Sequence, residues 1–209
     1  MNFKSTSIPG VTIITPYVNH DDRGYFLESY RSDLLKKNHL PNNFVQDNEV
    51  KSSKGVLRGL HYQLNRPQGK LVRAIYGTII DVAVDIRIGS PTFGKSEMIE
   101  LSDLNKKMLY IPEGFAHGYI VKSEQSIVVY KCTNYYDKND EFGIKWNDSS
   151  LNLNWSCSNP IISNKDKSLP FLDEQKYKKW FTIHQPLMEG QRVEEAIEEA
   201  SNLFLEYKH

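Results

Sequence analysis

Ala74 to Arg87 reads AIYGTIIDVAVDIR, and this stretch decides the fold class. Beyond the interruption at Gly77, Ile80, Val82, Val84 and Ile86 alternate with Asp81, Ala83, Asp85 and Arg87. Successive side chains of a strand leave on opposite faces, so a period of two predicts a strand, here a half-buried one. Toward the C-terminus, Met98 to Leu101 and Met108 to Ile111 repeat the pattern on either side of a turn at Ser102 to Lys106. Tyr119 to Val121 and Ser126 to Thr133 add two more strands. Toward the N-terminus, Val11 to Ile14 is rich in β-branched residues, and the turn His20 to Gly24 leads into Tyr25 to Tyr30, a strand with large rings. Ser32 to Leu40 predicts a short helix with Ser32 as N-cap. Phe44 to Asn48 reads as a strand that carries polar groups where a core strand would not. Many short strands with Gly and Pro between them predict an all-β sandwich or barrel rather than βαβ units.

Composition sets the outer limits. The 209 residues fit one ordinary domain with an appendage, and 11% aromatics supply enough apolar bulk for a core. The sequence divides into a β domain over residues 1–172 and a C-terminal helical extension over 173–209. In the extension, Val193, Ile197, Ala200, Phe204 and Tyr207 make an apolar stripe one helical face wide. A formal net charge of zero argues against broad nucleic-acid or membrane-surface binding, so any anion site must be a local cluster. Met1 to Gly10 lacks the apolar run of a signal peptide and no segment has the length of a membrane span. Cys132 and Cys157 are too few for a disulfide framework and read as free thiols of a cytoplasmic protein.

The local cluster lies just before the opening stretch. Leu57 to Arg73 reads LRGLHYQLNRPQGKLVR, two strands joined by a turn at Pro67 and Gly69, with Arg58, His61, Lys70 and Arg73 close together. A histidine among cations suits a strongly anionic substrate. On its residues alone His61, between Leu60 and Tyr62, is equally a packed structural histidine or a base. Lys70 reads as a solvated lysine beside a turn, Tyr130 as strand packing, and Gln46 and Asn48 as strand polars bonded to backbone. Gly55 to His61 has the spacing G-x5-H, and Pro112 to His117 has P-x-G-x-x-H. Both resemble half-motifs of the cupin superfamily, a jelly-roll barrel whose metal-binding members carry H-x-H, a Glu and a later His. Here Gln63 stands at the second His position and no Glu follows within reach. Two histidines are a thin ligand set, so the jelly roll is expected and a metal is not.

With these residues in view the chain resembles the dTDP-4-dehydrorhamnose 3,5-epimerase family of cupins over about residues 8–173. The resemblance rests on DRGYF (22–26), FVQDN (44–48), LRGLHYQ (57–63), GKLVR (69–73), DVAVDIR (81–87), SPTFG (90–94), residues 111–118, WND (146–148) and SNKD (163–166), in that order. It implies epimerisation of a 6-deoxy-4-ketohexose carried on a nucleoside diphosphate, without cofactor or metal. It further implies His61 as base, Asp166 on the far nitrogen of its ring, Lys70 at the C4 oxygen and Tyr130 as the acid on the opposite face. Arg23 and Arg58 would grip the diphosphate, while Phe26, Glu28, Gln46, Asp47, Asn48, His117, Glu141 and Lys165 would line the nucleotide-sugar pocket. A homodimer that exchanges N-terminal strands is implied as well. A monoepimerase, an enzyme for a GDP- or CDP-linked sugar, and a non-catalytic sugar-nucleotide binding cupin remain rival readings.

Overall fold

The structure, a computed structural model, describes residues 1–172. The helical extension expected over 173–209 lies outside the described residues. Thirteen strands are seen among the described residues. They are β1 (Asn2–Ser5), β2 (Thr12–Thr15), β3 (Val18–Asp21), β4 (Gly24–Leu27), β5 (Gln46–Ser53), β6 (Leu57–Gln63) and β7 (Lys70–Tyr76). Then follow β8 (Thr78–Asp85), β9 (Ser96–Ser102), β10 (Met108–Ile111), β11 (Phe115–Val121), β12 (Gln125–Cys132) and β13 (Glu141–Gly143). Two short helices accompany them, α1 (Ser32–Lys37) and α2 (Asn164–Lys167). A six-stranded sheet in the order β1-β2-β10-β7-β12-β5 faces a five-stranded one in the order β13-β6-β11-β8-β9, and β3–β4 forms a separate hairpin. The expected all-β jelly-roll sandwich with short peripheral helices is what the chain adopts.

Three apolar layers hold the sandwich. Between the sheets lie Val72, Ala74, Ile79, Ala83, Leu101, Leu109, Phe115, Val121 and Val128. The outer face of the five-stranded sheet, carrying Leu57, Val82, Val84 and Ile120, is covered by the returning chain through Ile144, Leu151 and Trp155. The outer face of the six-stranded sheet is covered in part by α1, whose Leu35 is fully buried beside Ile14, Leu71 and Met108. Each large aliphatic side chain buried in this way stabilises by about 1.5–3 kcal/mol.

Several expectations from the sequence need correction. β8 is not half-buried: Asp81 and Asp85 are as inaccessible as Val82 and Val84. Its alternation separates two apolar layers, and the polar residues on one face are paired rather than solvated. The segment 57–73 is not a hairpin, because β6 and β7 belong to opposite sheets. The turn at Pro67 and Gly69 is thus a crossing between layers, and it sets His61 and Lys70 on opposing walls. The N-cap of α1 is Arg31, with no side-chain cap; Ser32 is the first helical residue. Arg31 instead turns its guanidinium to Asp33 and Glu28. Phe44 and Val45 precede β5, and Phe44 packs edge-on against Tyr30.

Candidate active site

An irregularity in β6 shapes the site. His117 of β11 pairs with His61, and Tyr119 pairs with Arg58, so two steps along β11 answer three along β6. Residues three apart in a regular strand point to opposite faces; the extra residue at Gly59–Leu60 turns Arg58 and His61 toward the same cavity. Gly59 has φ +113°, and a Cβ there would stand 2.6 Å from both the Gly118 Cα and the His117 carbonyl oxygen. Backbone cannot retreat as a flexible side chain can. Gly59→Ala is expected to lower unfolding free energy by at least about 2 kcal/mol, read from urea midpoints, with activity falling in parallel.

His61 is held by Asp166, its Nε2 lying 2.7 Å from Oδ1. Asp166 is 3% exposed and sits in the first turn of α2, where Ser163 Oγ accepts from its backbone N–H. The Gly59 N–H donates to Asp166 Oδ2 at 3.4 Å. Burial alone would raise the Asp166 carboxyl, but the His61 contact and these hydrogen bonds leave it below the usual range. A carboxylate on Nε2 selects the tautomer with its proton there, leaving Nδ1 as the lone-pair nitrogen. Glu141 Oε1 stands 3.9 Å from that Nδ1. The same carboxylate binds Lys165 Nζ and accepts from the Tyr136 hydroxyl at 2.6 Å. Burial works against its charge too, and these partners again outweigh it.

Lys70 enters from β7, in the other sheet, and is 9% exposed. Burial pushes its ammonium below the ordinary lysine range, against the opposing influence of Cys132, Asp81 and Glu141. Tyr130 stands on β12 beside β7, and burial pushes its hydroxyl up to about 12, so it keeps its proton at neutral pH. His117 forms a second histidine–carboxylate pair, Nε2 to Asp81 Oδ1 at 2.8 Å, and burial holds its ring below the usual histidine range. It therefore faces the cavity as neutral imidazole.

His61, Asp166, Lys70, Tyr130, Arg58, His117 and Lys165 line one cavity of about 540 Å³. It adjoins a hollow of about 320 Å³ that shares His61, Lys70, Tyr130 and Lys165 and adds Gln46, Asn48 and Glu141. The four remaining expected residues do not join them in the single chain. Arg23, 89% exposed, pairs with Asp21 on the β3–β4 hairpin. Phe26 is 65% exposed on the same hairpin, and Glu28 pairs with Arg31. Asp47 leaves β5 on the face opposite Gln46 and Asn48 and binds Lys131. Sequence reasoning missed Asp81, Tyr119, Tyr136 and Cys132. For Asp81 the one available signal was an acid inside an apolar strand; the others carried none.

The donor set does not suit a transition metal. Both cavity histidines give one nitrogen to a carboxylate. At the position where a metal-binding cupin has its second His, Gln63 donates to the Arg66 and Tyr135 carbonyls and accepts from the Asp137 N–H. Among the described residues no group of three or more His, Cys, Asp or Glu side chains could hold an ion. Nor, among them, is any helix long and apolar enough to cross a membrane.

Comparison with known proteins bears on this geometry. The family model for dTDP-4-dehydrorhamnose 3,5-epimerase matches residues 5–174. The Shigella flexneri dTDP-4-dehydrorhamnose 3,5-epimerase is 52% identical over 168 residues, 79% of this chain and 93% of that protein. The crystal structure of the Elizabethkingia anophelis enzyme of the same name has a TM-score of 0.78 at 45% identity, covering 82% of this chain and 96% of that one. The Legionella pneumophila dTDP-6-deoxy-D-glucose-3,5-epimerase, solved with dTDP-4-keto-L-rhamnose, has a TM-score of 0.79 at 44% identity, covering 81% and 92%. With a matching fold, a matching sequence over most of its length and a histidine–carboxylate cavity between two sheets, this chain belongs to the dTDP-4-dehydrorhamnose 3,5-epimerase family.

Proposed function

We propose that the protein epimerises C3 and C5 of dTDP-4-dehydro-6-deoxy-D-glucose, giving dTDP-4-dehydro-L-rhamnose. The protons on either side of a C4 ketone are acidic because their loss gives an enolate. Inversion then needs a base on one face, charge stabilisation at the oxygen and an acid on the other face. His61 is the base: Asp166 holds its ring and stabilises the imidazolium that forms. Lys70 donates to the C4 oxygen as negative charge develops. Tyr130 returns the proton from the opposite wall, since His61 comes from the five-stranded sheet and Tyr130 from the six-stranded one. Arg58 takes the diphosphate, His117 the sugar, and Gln46, Asn48, Glu141 and Lys165 the nucleotide end.

The observation that carries this reading is that His61 with its Asp166 partner, Lys70 and Tyr130 line one cavity, the histidine on one sheet and the other two on the sheet opposite. The exposed β3–β4 hairpin supports a homodimer in which Arg23, Phe26 and Glu28 complete the nucleotide pocket of the other subunit, with Asp47 near the junction. The site of action in this reading is the cytoplasm, in keeping with two cysteines that are both free thiols. Incubation with dTDP-4-keto-6-deoxyglucose should yield a product whose proton couplings report inversion at C3 and C5. GDP- and CDP-linked analogues should turn over slowly. Unchanged couplings for the dTDP sugar would refute the assignment.

Tyr130→Phe is expected to keep proton exchange while lowering completed C5 inversion by about 10²-fold, since only the reprotonating group is lost. Separate NMR integration of exchange and inversion checks it.

A further inference from the structure

Two buried acids on β8 invite comparison. Asp85 is a structural acid with its acceptors filled: it takes hydrogen bonds from the Arg87 backbone and guanidinium and from the Ser90 and Thr92 hydroxyls. Asp81 is equally inaccessible, yet accepts one hydrogen bond, from His117, and its Oδ2 has no hydrogen-bond partner among the described residues. It faces the layer between the sheets, as its same-face neighbours Ile79 and Ala83 do, a place where a half-satisfied carboxylate is costly. A carboxylate kept there without structural return needs another partner.

The groups around it supply one. From β11 come His117 and Tyr119, the latter its register partner. From β7 comes Lys70, which has no ion pair within 4.0 Å among the described residues. Cys132 of β12, Glu141 of β13 and His61 of β6 face the same pair, while the register partner from β9 is the apolar Ile99. Asp81 is thus an inaccessible carboxylate hydrogen-bonded to a histidine that lines the same cavity as the buried Lys70.

We propose that Asp81 is a positioning residue for the reacting centre: Oδ1 holds the His117 ring, and the buried carboxylate is the counter-charge to Lys70 across the same cavity. The proposal deepens the function proposed above and rests on Lys70 acting as a cation at the C4 oxygen. Burial pulls Lys70 toward the neutral amine, and Asp81 is one of the charges opposing that pull. The sign follows: with Asp81 neutralised, Lys70 loses its proton at lower pH, and activity that needs the ammonium is lost at lower pH as well.

The test is the pH profile of kcat for wild type, Asp81→Asn and Asp81→Ser, with dTDP binding measured alongside. The expected result is that kcat at neutral pH falls about tenfold or more in both variants, with the alkaline limb moved to lower pH and dTDP affinity little changed. His117→Asn removes the hydrogen bond but leaves the Asp81 charge, so it should slow turnover without moving the alkaline limb. An alkaline limb in the wild-type place for Asp81→Asn and Asp81→Ser would overturn the assignment. So would failure of both variants to fold, which would make Asp81 a structural residue. Wild type run in the same assay separates the two claims: without turnover of the keto sugar by wild type the proposed function itself fails, whereas active wild type with unmoved limbs removes Asp81 alone.

Discussion

His61→Asn should lower solvent exchange at both sugar carbons by roughly 10³-fold or more while leaving dTDP affinity within about threefold of wild type. The base contributes through its lone-pair nitrogen, and an asparagine amide has no comparable basicity. It can still place a donor near Asp166, so α2 and the Gly59 bulge should persist. Those two features position Arg58, which is why nucleotide binding should survive. Calorimetry with dTDP and NMR exchange on the same preparation check the two halves. If exchange persisted near the wild-type rate, the base would have to be another group, and neutral His117 is the nearest candidate by geometry.

Lys70→Met separates catalysis from stability. The side chain is 9% exposed and makes no ion pair within 4.0 Å among the described residues, so burial disfavours its charged form. Methionine keeps nearly the same length without the charge. The expected result is a kcat lower by about 10²–10³-fold, because the developing enolate loses its cation. Unfolding free energy should stay within about 1 kcal/mol of wild type, because the relief of a desolvated ammonium is offset by an Asp81 carboxylate left without a counter-charge. A urea titration beside initial-rate kinetics reads both. Loss of stability together with activity would mean that Lys70 is a structural residue and would remove it from the mechanism.

The strands were legible because period two survives in a chain read one residue at a time: β8, β9, β10 and β12 fall within a few residues of where the reading places them, while β11 begins at Phe115, four residues before the expected Tyr119. Which faces are buried was not legible. Asp81 and Asp85 look like the wet side of β8, and only the opposing sheet makes that side an interior. The layer assignment of β6 and β7 was hidden for the same reason, since a turn and a crossing between sheets share the same Pro and Gly.

The site divides along similar lines. Arg58, His61 and Lys70 lie within thirteen residues of one another and could be noticed together. Asp166 meets His61 across 105 residues of chain, a distance no spacing rule bridges, and it entered through family resemblance alone. Asp81 was in plain view but disguised by the alternation around it. Arg23, Phe26 and Glu28 lie on an exposed hairpin away from the cavity, so their expected contact with substrate depends on a second subunit.

The central claim is that one histidine removes, and one tyrosine returns, protons on both sides of a single ketone. Deuterium incorporation from D2O into dTDP-4-keto-6-deoxyglucose, followed by NMR at C3 and C5, measures this directly. The account predicts solvent-derived deuterium at both carbons with wild type and at neither with His61→Asn. Both carbons fully protonated after incubation with wild type, or both exchanging freely in His61→Asn, would contradict it.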